Sequence, residues 1–236
     1  MIDAVIFDWG GTLTPWKTMD FHAGWRTYAD VLHGDDAERA AAAAAALAEA
    51  DTGRWAAVKD SSTAFTLAHV LADAGLDDSS ELHGDALEAY REFWVQATHT
   101  DPEVEPMLQA LKRRGLKLGV LSSTAWPGEW HEEWLRRDGV LHYFDAVTWS
   151  SDLPWTKPHP EAFLAAMKAV GVDDPARCVY VGDRPYDDIS GAKGVGMKAV
   201  LVPHSDIPVE QQVPVDIEPD GVVQRLAELP ELIRTW

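Results

Sequence analysis

Four short segments of the chain place acidic, hydroxyl and cationic side chains where apolar runs stop. Asp8 leads Asp8-Trp9-Gly10-Gly11-Thr12-Leu13, a carboxylate followed at once by glycines whose backbone amides can approach an anion closely. The apolar run ending at Leu121 continues into Ser122 and Ser123, hydroxyls that can donate to an anionic oxygen. Lys157 sits in Thr156-Lys157-Pro158-His159-Pro160-Glu161, where prolines fix the approach of one cation just before a helix start. Further on, Gly182-Asp183 and Asp187-Asp188 put two or three carboxylates in the turn between an apolar run and a helix. Singly, each segment has an ordinary explanation: turn serines, a solvated lysine, an aspartate cap. Jointly they describe a cluster of carboxylates with a cation, hydroxyls and close amides.

These residues need elements that bring them together. Residues 2 to 8 are short, β-branched and apolar, and the glycines that follow mark a strand ending in a tight turn, with Asp8 at its carboxyl end. Between about 18 and 98 the spacing is helical: Trp25, Tyr28, Val31 and Leu32 on one stretch, Phe65, Leu67, Val70 and Leu71 on another. The alanine run 40–46 adds high helix propensity. After Asp101-Pro102 helices and strands alternate. Helices are expected at 104–114, 129–137, 161–170 and 187–194; strands at 116–121, 146–148, 178–181 and 198–202; an irregular loop at 203–221. Alternation of this kind requires crossover connections and so a parallel sheet covered by helices, with a ligand site beyond the strands' carboxyl ends. The glycines at 191, 194 and 196 superficially match a dinucleotide fingerprint, but they end a helix and precede a strand, the reverse of the required order.

A chain of 236 residues can bury a sizeable core without disulfides, and the single cysteine, Cys178, lies in an apolar run where it reads as packing. The formal charge of −19 repels nucleic acid phosphates and anionic lipid, so neither is an expected partner. The first residues show no basic leader, and no apolar stretch of about 18 residues follows, so a cytoplasmic protein is expected. An acidic surface also opposes an anionic substrate, and a phosphate site here would need its own local cation, which argues for a metal ion.

The four segments, in this order and spacing, resemble the motifs of the haloacid dehalogenase superfamily: Asp-x-x-Gly-Thr-Leu, an apolar run plus Ser, Lys-Pro-x-Pro, and Gly-Asp-x-x-x-x-Asp. The resemblance implies an α/β fold, a three-layer Rossmann-like parallel sheet core from residues 1–14 and 101–236, with an inserted α-helical cap over residues 15–100. It also implies hydrolysis of a small phosphorylated metabolite through an aspartyl-phosphate on Asp8, with Ser122 and Lys157 as further catalytic residues. Trp9, Gly10, Ser122, Ser123 and Lys157 would bind phosphate. Mg²⁺ would be held by Asp8, the Gly10 carbonyl, Asp183 and Asp188, an all-oxygen set suited to that ion. In the insert, Arg54 and Lys59, flanking Trp55 in an expected interhelical segment, could reach an anionic substrate.

One departure matters. Many phosphatases of the superfamily carry an aspartate two residues after the nucleophile, as acid and base, and Gly10 stands there instead. Thr14 is a candidate relay. Two other readings stay open: phosphonatase-like cleavage of a carbon–phosphorus bond, for which the insert offers Lys17 and Lys59 as amines, and a binding protein that retains the metal site without turnover. Dehalogenation fits less well, since those relatives are metal-independent and have another residue at position 10. Eleven tryptophans, among them Trp9, Trp16, Trp126, Trp149 and Trp155 near strand ends or the cap junction, could wall a pocket or anchor cap to core.

Overall fold

The apolar run that opens the chain becomes the middle of a sheet. In the computed structural model, which describes residues 1–76, 79–203 and 212–236, the strands are β1 (Ala4–Phe7), β2 (Lys117–Ser122), β3 (Ala146–Trp149), β4 (Cys178–Gly182), β5 (Lys198–Leu201) and β6 (Gly221–Val222). They form one sheet in the order β3-β2-β1-β4-β5-β6, and every pairing is parallel. Both faces are buried. Val5 and Phe7 of β1 join one apolar cluster, while Ala4 and Ile6 point to the other, the period of two that a covered strand requires.

The first face is closed by α5 (Val104–Arg113), α6 (Gly128–Arg137) and α9 (Leu229–Arg234), through Leu108, Leu111, Trp134, Leu135 and Ile233. On the second lie α7 (Pro160–Val170), through Phe163 and Met167, and the short α8 (Gly191–Gly194), through Ala192. The result is a helix–sheet–helix sandwich, the three-layer α/β architecture that the alternating pattern implies.

Four helices form the insert between β1 and α5: α1 (Phe21–His33), α2 (Ala37–Ser61), α3 (Leu67–Asp73) and α4 (His83–Trp94). Asp20 and Asp36 cap the first two, each carboxylate accepting a backbone N–H three residues on, at 3.1 and 3.0 Å. The insert has its own core of Trp25, Tyr28, Leu47, Phe65, Val70 and Tyr90. It joins the sheet layers through Trp126 and Trp130, which pack against both cores. Backbone bonds tie it down as well: Ala64 N–H to the Pro154 carbonyl (3.0 Å), Thr156 N–H to Ser62 (2.9 Å) and Leu67 N–H to Ala125 (3.0 Å). Arg91 on α4 also pairs with Glu133 on α6.

Three expectations are corrected. The helix at 187–194 is preceded and partly replaced by a π-helical turn, Pro185–Ser190, because the Arg184 carbonyl accepts from both Asp188 N–H (3.0 Å) and Ile189 N–H (3.2 Å). Arg54 and Lys59 are not interhelical: α2 runs unbroken through Gly53 to Ser61, its alanine run outweighing the roughly 1 kcal/mol that one glycine costs a helix. Of the expected loop 203–221, residues 204–211 lie outside the described residues, and Gly221 begins β6. Among the described residues no helix is long and apolar enough to cross a membrane.

Candidate active site

Because all six strands are parallel, their carboxyl ends share one edge of the sheet, and the motif residues stand on that edge. Asp8 follows β1, and its N–H still donates to the Val181 carbonyl of β4 (2.8 Å), so the last ladder bond fixes where the carboxylate starts. Asp183 follows β4, the neighbouring strand. Ser122 is the final residue of β2, on the other side of β1. Lys157 arrives on the segment after β3, its approach set by Pro158 and Pro160 at the start of α7.

Lys157 is the hub. Its Nζ lies 2.9 Å from Asp8 Oδ1 and 2.6 Å from Asp188 Oδ1. All three side chains are buried: Lys157 is 2%, Asp8 4% and Asp188 0% exposed. Burial works against the ammonium, but Asp188 and Asp8 more than offset it and hold the lysine above its ordinary range, so it stays charged. For Asp188 burial dominates; opposed by Lys157 and reinforced by Asp8 and Asp183, it pushes the carboxyl well above the usual carboxylate range.

Asp183 completes the group, since one oxygen each of Asp8, Asp183 and Asp188 lie within 4.8 Å of one another. Two glycines permit this crowding. A Cβ on Gly11 would fall 2.3 Å from Asp183 Oδ2, at a φ of +85° that favours glycine, and a Cβ on Gly182 would fall 2.3 Å from Asp188 Cγ. Three buried carboxylates with one lysine, which pairs with two of them, leave a deficit of positive charge. Their hard oxygen donors fit Mg²⁺ or a similar ion and not a thiolate-seeking metal.

The remaining motif groups are ordered around this cluster. Trp9 N–H donates to Asp8 Oδ1 at 2.7 Å. Ser122 is buried beside the cluster's strand edge, whereas Ser123 is half-buried and its hydroxyl accepts from Thr156 Oγ1 at 2.6 Å. Thr14 Oγ1 donates to the Trp9 carbonyl at 3.2 Å, folding the turn on itself. The insert contributes unevenly. Arg54 is turned to Asp73 on α3, donating from Nε (2.5 Å) and from its terminal nitrogen (2.7 Å), so the structure does not bring it to the site. Lys59 is one turn from the end of α2, and its charge acts on Asp187, whose carboxyl is raised by burial and lowered by Arg184, Lys157 and Lys59.

Some neighbours were not singled out from the sequence. Thr12, fully buried, donates to Asp183 Oδ1 at 3.5 Å; its place after two glycines was a usable signal. Arg184 lies 3.7 Å from Asp187 and over the Trp16 ring at 5.2 Å. His131 was not foreseeable from α6 alone. It is 1% exposed, hydrogen-bonded to Thr124 Oγ1 at 2.9 Å, stacked on Trp149 and set edge-on to Trp9. Burial pushes its imidazole down to about 3, so it is neutral. Trp9 meets Trp126 edge-on, Trp126 in turn packs on Trp94 of the insert, and Trp149 stacks on His131, so Trp126 is the ring that bridges core and insert.

Comparison with known proteins bears on this arrangement. A family model for haloacid dehalogenase-like hydrolases matches residues 2–196, which includes every motif above. A glyceraldehyde 3-phosphate phosphatase of Methanopyrus kandleri is 33% identical over 160 residues, 68% of this chain and 67% of that protein. A phosphoserine phosphatase of Thermus thermophilus is 34% identical over 49% of this chain and 45% of its own length. The chain spans about half to two-thirds of the length of such curated relatives. Among solved structures, a 2-haloacid dehalogenase from Pseudomonas syringae superposes over 100% of both chains with a TM-score of 0.67 and 29% identity. With the parallel sheet, the carboxylate cluster on its edge and a family model covering residues 2–196 in agreement, the chain belongs to the haloacid dehalogenase-like hydrolases.

Proposed function

We propose that the chain hydrolyses small phosphorylated metabolites, with Asp8 as the nucleophile and Mg²⁺ as the metal. One observation carries it: Asp8, Asp183 and Asp188 converge on one point while Lys157 holds two of them. Phosphatase names among the relatives support the same direction. Lys157 and the Trp9 N–H both engage Asp8 Oδ1, which fixes the carboxylate's rotation and makes Oδ2 the oxygen that attacks phosphorus. An aspartyl-phosphate then divides one hard displacement into two easier ones.

Asp8, the Gly10 carbonyl, Asp183 and Asp188 would hold the ion. When bound, Mg²⁺ supplies positive charge to the phosphoryl oxygens as the displacement proceeds. Lys157 offsets the carboxylates' repulsion of an anionic substrate; a unit pair at 4 Å is worth about 4 kcal/mol at an effective dielectric of 20. Ser122, with Ser123 beside it, donates to a phosphoryl oxygen, as does the amide at Gly10, while the Trp9 N–H stays on Asp8 Oδ1. The four-helix insert is the cap that excludes water during reaction. From it, Lys59 meets the anionic substrate, while Arg54 clamps α2 to α3. Lys17, the other insert lysine that a carbon–phosphorus route would draw on, is engaged with Gln96 at 2.7 Å.

The test is hydrolysis of an activated aryl phosphate and a panel of metabolite phosphates, with Mg²⁺ and with EDTA. Metal-dependent turnover that disappears in Asp8→Asn is expected. Metal-dependent phosphate binding with no turnover of any phosphate ester, acyl phosphate or phosphoanhydride would establish a binding protein instead.

A further inference from the structure

Gly10 and Gly11 are glycines for different reasons. Gly11 is dictated by its positive φ and by Asp183, whereas a Cβ built on Gly10 meets no atom within 4 Å. The position next to the nucleophile therefore has room for a side chain, and neither clash nor a left-handed backbone explains its absence. The surrounding groups do not replace it. Lys157 is engaged by two carboxylates, Asp183 accepts from Thr12, and Asp188 accepts from Lys157 and from the Arg184 N–H at 2.8 Å. Asp187, the next carboxyl, is drawn to Arg184 at 3.7 Å. What Arg184 brings beside Asp187 is positive charge and not a proton, since a guanidinium stays protonated in proteins.

We infer that this site selects phosphoryl donors whose leaving group departs as a stable oxyanion, namely acyl phosphates or phosphoanhydrides, over alkyl phosphate esters. The inference rests on the hydrolase reading and narrows its substrate class. In the first step an Asp8 oxygen bonds to phosphorus, the bond from phosphorus to the leaving oxygen breaks, and its electron pair leaves on a carboxylate or phosphate oxygen. No proton moves. An alkoxide would be far too basic to leave in this way, which is where general acid catalysis is worth about 10²–10⁴-fold. In the second step water bonds to phosphorus, the bond to Asp8 breaks with its electron pair returning to the carboxylate, and both hydrogens of the water leave on the phosphate, which sheds one to solvent.

The experiment measures kcat/KM with Mg²⁺ for acetyl phosphate, inorganic pyrophosphate, aryl phosphates of graded phenol acidity and an alkyl phosphate. Wild type, Gly10→Asp, Gly10→Ala and Asp8→Asn are compared. The expected wild-type rate climbs steeply with leaving-group acidity, leaving the alkyl phosphate at least about 10²-fold behind. Gly10→Asp should narrow that gap by about 10²–10⁴-fold, and Gly10→Ala should not. The acetyl phosphate and pyrophosphate arms decide which oxyanion is preferred. An alkyl phosphate turned over as fast as acetyl phosphate by wild type, or a gap narrowed equally by alanine, overturns the inference. Turnover confined to Gly10→Asp overturns it too but leaves the hydrolase reading standing, whereas silence from every variant, or activity persisting in Asp8→Asn, overturns both.

Discussion

The two halves of the molecule bury charge in opposite ways. At the sheet's carboxyl edge, Asp8 and Asp188 share one lysine and Asp183 stands against them, all three almost without solvent. In the helical insert, Asp51 is 3% exposed and is met by an indole instead of a cation, Trp25 Nε1 donating to its Oδ2 at 2.9 Å. Burial pushes that carboxyl up to about 6, despite the indole bonds of Trp25 and Trp55. The edge is a set of charges that attract and repel at once, poised to take a further cation. The insert's carboxylate is a lone acceptor in an aromatic core, where its charged form costs stability. A substitution at the edge should therefore change chemistry first, and one at Asp51 should change stability alone.

The largest separation is expected from Lys157→Met. Two buried carboxylates would lose their shared partner, so turnover should fall about 10²–10³-fold and denaturant unfolding should show a loss of about 3–5 kcal/mol. Near-normal activity in that variant would mean that the lysine does not organise the cluster.

Metal binding sharpens the same contrast. Saturating Mg²⁺, at about 100 times its Kd, should raise the unfolding free energy by about 2.7 kcal/mol, and Asp183→Asn should remove most of that gain. Asp51→Asn should leave it intact. Equal stabilisation of wild type and Asp183→Asn would place the ion elsewhere.

Asp51 itself gives a pH signature. Its folded-state value is raised from 3.8 to about 6, so the stability from its protonated form is complete below about 3.8 and is lost as pH rises through about 6. Asp51→Asn keeps an acceptor for Trp25 without the charge. It should be more stable than wild type by about 1–3 kcal/mol at pH 8, converging with it near pH 4. A constant difference across that range would show that Asp51 is ionised throughout.

The smallest effects separate the two insert cations. Arg54→Ala breaks a partly exposed pair with Asp73 and should cost under about 1 kcal/mol of stability with KM unchanged. Lys59→Ala should raise KM several-fold and leave stability alone. The reverse pattern would move substrate recognition to Arg54.

Much of the edge was legible because each of its residues directly follows, or ends, a short apolar run, and parallel strands place such positions side by side. Asp8, Ser122 and Asp183 converge for that reason, and Lys157 is aimed by prolines that can be read directly. The insert was legible only as helices. Its contacts lie between faces, and neither the turn of Arg54 toward Asp73 nor the indole beside Asp51 leaves a trace in spacing. The segment of Arg54, Trp55 and Lys59 read as interhelical, although α2 runs unbroken through it. At the other end of the chain, β6 has two residues and α9 six, too few to show a period. The π-turn before α8 depends on one carbonyl accepting two amides, which propensity does not encode.

The proposed mechanism makes Asp8 the nucleophile that carries the phosphoryl group covalently. The most direct measurement is mass analysis of enzyme quenched in acid during turnover of acetyl phosphate with Mg²⁺, followed by peptide mapping. One phosphoryl group on the peptide containing Asp8, absent in Asp8→Asn and in EDTA, is the predicted result; turnover with an unmodified Asp8 peptide, or a phosphoryl group on another residue, would contradict it.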